Sequence, residues 1–303
     1  MKALTLAGLL VVAAGEVLAQ TEPPLVHHIH GLAVDPGDPE VLYAATHSGL
    51  VRIRPGATPE WVGSHRFDLM GFTAHPTEAG LVYASGHPDL PTYRRDGFGN
   101  LGLLLSRDGG QTWRSIALRG EADFHALTYS PRDGGRLYGW SVAGQTGLHR
   151  ISIASGAVER LTASGLADVL SLSASPEGAG PVLAGTKAGL FVSRDRGATW
   201  AKVKSIPADP PVTAVSYHRT DARVVYAYLG AAGLGLRRSR DGGASWEPTG
   251  PLPSPEASVV ALAVGPGAYV VVATTAADVV RSRDGGRSWT RVIEQGRPAQ
   301  AAR

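Results

Sequence analysis

One eight-residue phrase occurs four times in this chain and limits its architecture more than any other feature. It reads Ser106-Arg107-Asp108-Gly109-Gly110-Gln111-Thr112-Trp113, and it returns at Ser193–Trp200, Ser239–Trp246 and Ser282–Trp289. The first interval between serines is about twice the other two, so it has room for one degenerate copy. That copy is Gly147-Leu148-His149-Arg150-Ile151 followed by Ser155-Gly156, which matches Gly189-Leu190-Phe191-Val192 and its turn. A further degenerate copy, Gly49-Leu50-Val51-Arg52-Ile53, ends at Trp61. The chain therefore contains six units of about 40–50 residues, the period of stacked or radial repeats. In each unit an apolar strand A stops at a turn, as in Gly31–Pro36 or Leu127–Pro131. Strand B follows (Val41–Ala45, Val224–Tyr228), strand C runs into the phrase, and strand D starts at its Trp. Four strands per unit is the signature of a propeller blade. The expectation is an all-β, six-bladed β-propeller of four-stranded antiparallel blades over residues 28–295, with the repeated phrase in the C–D turns. A seventh blade would need about 40 more residues.

Composition agrees. Gly 39 and Pro 21 make up about a fifth of the 303 residues, which disfavours long helices and suits short strands joined by turns. There is no cysteine, which excludes disulfides, thiolate metal sites, a Cys nucleophile and a lipoprotein anchor. The formal charge is only +3 and no basic run occurs, so nucleic acid is not an expected partner. Lys2, the apolar stretch Ala3–Ala14 and Val17-Leu18-Ala19 read as a signal peptide of residues 1–19. The mature chain is then exported, periplasmic or extracellular, with no membrane insertion after cleavage. Residues 20–27 form a lead and 296–303 a tail.

The repeated phrase resembles the Asp-box, or BNR repeat, of sialidases, sortilin-type receptors and photosystem assembly propellers. In that motif Asp108, Asp195, Asp241 and Asp284 are architectural. Each carboxylate can accept backbone N–H bonds across a tight hairpin, Gly allows positive φ, and Trp packs between strands. The phrases His28–Pro36, Ala45–Leu50 and Ala84–Asp89 resemble a narrower family, exported bacterial propellers named as sialidase-like glycosyl hydrolases. A sialidase-like activity implies an arginine triad, a Tyr–Glu nucleophile pair and an acid–base Asp. The triad is not recognisable here, and Tyr93 with Asp89 or Asp123 is the best remaining catalytic set.

Blade topology puts the D–A and B–C connections on one face and the A–B and C–D turns on the other. Aligning the A strands gives one position occupied by His30, Met70, His125, Leu170, Thr213 and Val260. Two residues earlier stand His28, Asp68, Asp123, Asp168, Pro211 and Ser258, on the same strand side. The ends of B carry His47, His87, Val142, Lys187, Gly230 and Thr275. Blades 1–3 thus hold imidazole, thioether and carboxylate where blades 4–6 are mostly apolar or small. Met70 is the only methionine after Met1.

Imidazole is the commonest protein metal ligand and thioether adds softness. His30, His47, Met70, His87 and His125 are therefore expected to converge on a transition metal, copper first and zinc second. His28, Asp68 and Asp123 are alternative ligands or orienting partners. No nucleotide or organic cofactor is expected. The long B–C connection of blade 2 presents Tyr93, Arg94, Arg95 and Asp96, which suit an anionic or sugar ligand. Two other readings stand beside the metal: a glycoside hydrolase or glycan-binding propeller, and a scaffold for a protein partner.

Overall fold

The computed structural model describes residues 23–300 except 132, 178, 179 and 207. The expected signal peptide lies outside the described residues.

Six antiparallel sheets, one per repeat, form a six-bladed propeller. Blade 1 consists of Ile29–Val34, Leu42–Thr46, Gly49–Ile53 and Glu60–Trp61, paired in chain order. Blade 2 is Asp68–Ala74, Val82–His87, Leu103–Ser106 and Arg114–Ala117; blade 3 is Ala122–Ser130, Arg136–Gly144, Gly147–Ser152 and Val158–Arg160. Blades 4, 5 and 6 begin at Val169–Ala174, Val212–Tyr217 and Val259–Val264. Four D strands start directly after Trp113, Trp200, Trp246 and Trp289, as the repeat predicts.

The blades are held together by the seams between them. Six apolar clusters occur, one at each blade–blade contact. Strand periodicity explains this arrangement: Tyr43 and Ala45 face blade 2, while Leu42 and Ala44 face blade 6. Both faces of a B strand are consequently buried, and these strands read as nearly continuous apolar runs.

The Ser-x-Asp phrases sit in the C–D turns, facing away from the A-strand starts. In the blade 5 turn, Ser239 Oγ donates to Asp241 Oδ1 at 2.8 Å, and Ser245 N donates to the same oxygen at 2.8 Å. The hydroxyl and amide of Ser245 hold the Asp241 carboxyl well below its ordinary range, at about 2. Gly242 N then reaches Arg223 O in the A–B turn at 2.8 Å, which ties the two turns of one blade into one face. The turns also lock onto the preceding blade, where Tyr226 of blade 5 donates to Gly285 O of the blade 6 turn. In blade 5 the Asp241 carboxylate thus closes its own C–D turn.

Two features differ from expectation. The predicted tail supplies a fifth strand to blade 6, Arg297–Pro298, paired with Thr290–Glu294. The predicted lead is anchored as well: Val26 is fully buried, and its N–H donates to Gly296 O at 2.9 Å. The lead is thus tied to the end of blade 6, and among the described residues the ring closes through this backbone bond and the packing of blade 6 on blade 1, with no shared sheet.

Candidate functional site

The aligned position that breaks the repeat has a common backbone cause. In every blade the A–B register slips by one residue at the start of A, between Ile29 and Gly31 in blade 1 and between Leu69 and Gly71 in blade 2. The same slip recurs in blades 3, 4, 5 and 6. The extra residues are His30, Met70, His125, Leu170, Thr213 and Val260. A β-bulge leaves its added residue outside the ladder and re-aims its side chain. His30, Met70, His125, Leu170 and Val260 line a cavity of about 580 Å³ at the channel mouth. A narrower cavity of about 190 Å³ continues down the axis from His30 and His125 to His75 and His218 at the far end.

The expected five-ligand set does not meet at one point. It forms a chain of alternating imidazoles and carboxylates across blades 1, 2 and 3. At one end the ligand atoms of His30, His47 and Asp68 lie within 4.8 Å of one another. The His30 and His47 rings meet edge to face with centroids 4.5 Å apart. His47 Nδ1 is 2.8 Å from Asp68 Oδ1 but out of line for a hydrogen bond, so this buried oxygen has no hydrogen-bond partner. His30 Nε2 is likewise buried and unpartnered. Asp68 Oδ2 faces His87 Nδ1 at 3.3 Å. His87 Nε2 is 3.3 Å from Asp123 Oδ2, which also meets His125 Nε2 at 2.9 Å.

Electrostatics keeps His30 neutral. Burial, then the neighbouring His47, lower its pKa to about 4, so its ring is neutral and offers a lone pair near pH 7. Burial pushes the Asp123 carboxyl up, but the His125 hydrogen bond and the His87 and His125 charges outweigh it, and the net shift is downward. His28, at φ +48°, occupies the left-handed region, and its ring lies 5.1 Å from that of His47. Strain of this kind concentrates at functional positions. His27, in the lead, meets His28 edge to face, an extension of the imidazole cluster by one residue that the alignment of A strands did not include.

The blade 2 connection is a short helix, Leu90–Asp96, where an irregular loop was expected. Asp89 caps it: Oδ1 accepts from Thr92 N at 3.0 Å and Oδ2 from Arg66 N at 3.1 Å. The cue was readable in Asp89-Leu90-Pro91-Thr92, a capping residue followed by Pro in the first turn. The expected sugar-binding groups are partly committed, since Asp96 pairs with Arg95 and Arg119. Tyr93 is 50% exposed beside Leu90 at 56% and Phe98 at 45%. The catalytic set is not assembled either: Asp89 is a helix cap, and Asp123 is buried beneath His87 and His125.

No protein-family model matches the sequence, and no curated protein matches it. Solved structures do. "YCF48 bound to D1 peptide" is similar at 15% identity with a TM-score of 0.53, covering 90% of this chain and 84% of that one. An ancestral GH74 enzyme is similar at 13% identity with a TM-score of 0.56, covering 90% of this chain and 39% of that one. At such identities the likeness is one of fold.

Proposed function

We propose that this protein is an exported metal-binding propeller that holds a copper or zinc ion at the channel mouth through His30, His47 and Asp68. The observation that carries the reading is the approach of His47 Nδ1 to the buried, unpartnered Asp68 Oδ1 at 2.8 Å, away from any hydrogen-bond line. Two donors each about 2.0 Å from one tetragonal copper(II) ion, at a right angle, lie roughly 2.8 Å apart. Imidazole with carboxylate suits zinc(II) and copper(II). Met70, on the neighbouring bulge, lines the same mouth and offers a thioether, the donor that favours copper(I). The chain's own contribution is to hold the three donors on two adjacent blades, keep His30 neutral, and leave the ion one open side toward the mouth.

The test is metal analysis of protein purified from the exported fraction, followed by titration of the metal-free form. His30→Ala, His47→Ala and Asp68→Asn should each weaken copper and zinc binding, and His218→Ala at the far end of the channel should not. Met70→Leu should weaken copper(I) more than zinc(II). Equal affinities for all these variants would end the metal reading.

One observation favours a second reading, a peptide-binding face. Leu90, Tyr93 and Phe98 expose large apolar surface on the blade 2 connection, and a similar fold has been solved with a peptide bound. Replacing all three by Ser should abolish capture of a protein partner while leaving metal binding intact; retained capture would exclude this face.

A further inference from the structure

We infer that the far end of the axial channel is an oxyanion site, in which Arg219 holds one phosphate- or carboxylate-sized group inside the narrow cavity. The repeat breaks a second time here, at the end of the channel opposite the metal donors. In the A–B turns one aligned position holds Pro36, Pro76, Pro131, Pro176 and Pro266 in five blades, and Arg219 in blade 5. Proline has no N–H and only a short apolar ring, so five blades present nothing ionic at this position. Blade 5 alone presents a guanidinium. Arg219 lines the cavity of about 190 Å³ together with Pro76, Pro131 and Pro176.

The guanidinium lacks a partner. Its Nη1 is buried without a hydrogen bond, and among the described residues no carboxylate lines the cavity. Asp35 is the carboxylate whose charge reaches Arg219. It is committed to its own turn, where Oδ1 accepts from Gly37 N at 2.8 Å and from Asp38 N at 3.0 Å. Burial outweighs the attraction of Asp35 and lowers the Arg219 pKa below its ordinary value. The two imidazoles at this end are also occupied: His75 Nδ1 accepts from Glu78 N at 2.9 Å and His218 Nδ1 from Asp221 N at 3.2 Å. Charges taken out of water are paired, and the arginine fork matches two oxygens of a carboxylate or phosphate.

The cavity lining adds donors. Thr128 Oγ1 accepts from Ala174 N at 2.9 Å, and Ser173 Oγ accepts from Tyr217 N at 2.9 Å. Each bond crosses to the next blade and uses an oxygen lone pair, which leaves both hydroxyl protons to give. The size selects a small occupant, since 190 Å³ is below the roughly 300–1,000 Å³ of sites for larger organic ligands. The site needs no metal at the mouth, and none of these residues is a proposed metal ligand.

The experiment is calorimetric titration of the full chain, stripped of metal with a chelator, with inorganic phosphate, sulfate and acetate. Wild type should bind phosphate one to one, and phosphate should raise its melting temperature by mass action. Arg219→Met should weaken phosphate binding by roughly tenfold or more, the loss expected for a charged hydrogen-bond donor. Arg219→Pro restores the residue of the other five blades, and its melting temperature should not respond to phosphate. If Arg219→Pro fails to fold, Arg219→Met and Arg219→Gln decide. Tighter binding of sulfate than acetate would assign a tetrahedral oxyanion, and the reverse a carboxylate. His30→Ala, at the other end of the channel, should bind phosphate as wild type does; loss of binding there would move the anion to the mouth and overturn the far-end site. Wild type unresponsive to all three anions, or Arg219→Met with wild-type affinity, would overturn it as well and leave the metal reading standing.

Discussion

Replacing Gly110 by Ala tests whether the C–D turns lock neighbouring blades together. Gly110 lies at φ +92°, and a Cβ there would stand 2.3 Å from Leu50 Cδ2 of blade 1 and 3.3 Å from Trp113 of its own blade. Two costs add. The left-handed backbone disfavours a side chain by about 1–2 kcal/mol. Overpacking against Leu50, which is 1% exposed within the blade 1–blade 2 seam, adds about 1–3 kcal/mol. The expected loss is about 2–5 kcal/mol. Gly56 supplies the control: it also has positive φ, at +79°, but an added Cβ would meet nothing within 4 Å. Gly56→Ala should therefore cost only the backbone part, about 1–2 kcal/mol. Urea unfolding at pH 7 measures both, provided the two variants share the wild-type slope. If Gly110→Ala is as mild as Gly56→Ala, the turns do not interlock the blades.

Two further outcomes are expected. Asp89→Ala removes the cap of helix Leu90–Asp96 and should cost about 0.5–2 kcal/mol; unchanged stability would show that the Asp89 hydrogen bonds are incidental. His149 is fully buried in blade 3, with Nδ1 facing Gly147 O and Nε2 unpartnered, and burial holds its pKa below the ordinary value. The unfolded chain therefore takes up a proton first as pH falls, so stability present above the ordinary imidazole range is lost through that range toward the folded pKa. Metal-free His149→Leu should lose less stability than wild type between pH 7 and pH 5, and identical slopes in urea titrations would refute the assignment. His30, His75 and His218, also held low by burial, keep part of the slope in both proteins.

The blades were legible because their determinants are local. A turn whose Asp accepts from its own Ser and Thr declares itself within eight residues, and a B strand buried on both faces is an unbroken apolar run. The mouth was legible only through symmetry: His30, Met70 and His125 drew attention because Leu170, Thr213 and Val260 do not resemble them. What symmetry cannot give is the direction of a ring nitrogen. His47 and His87 end equivalent strands, yet one meets Asp68 Oδ1 and the other Oδ2, which divides one expected cluster into a chain. The commitment of Asp89 was missed for a different reason, since a helix of seven residues leaves little periodicity to read. The fifth strand of blade 6 is only Arg297–Pro298, short enough to pass as a tail.

The six bulges separate two kinds of design freedom. A residue added at a bulge has no partner across the strand, so the ladder places no demand on its side chain. Positions one step away are tightly constrained: a Cβ on Gly31 would stand 2.7 Å from Phe72, and one on Gly71 would stand 2.4 Å from Phe124 O. The propeller therefore carries a circle of six sockets around its axis whose occupants can change without rebuilding a blade. Three are filled with donor atoms in this protein. The other three hold Leu170, Val260 and Thr213, whose hydroxyl donates to Val259 O of blade 6, and a different recognition chemistry could be installed there on the same ring.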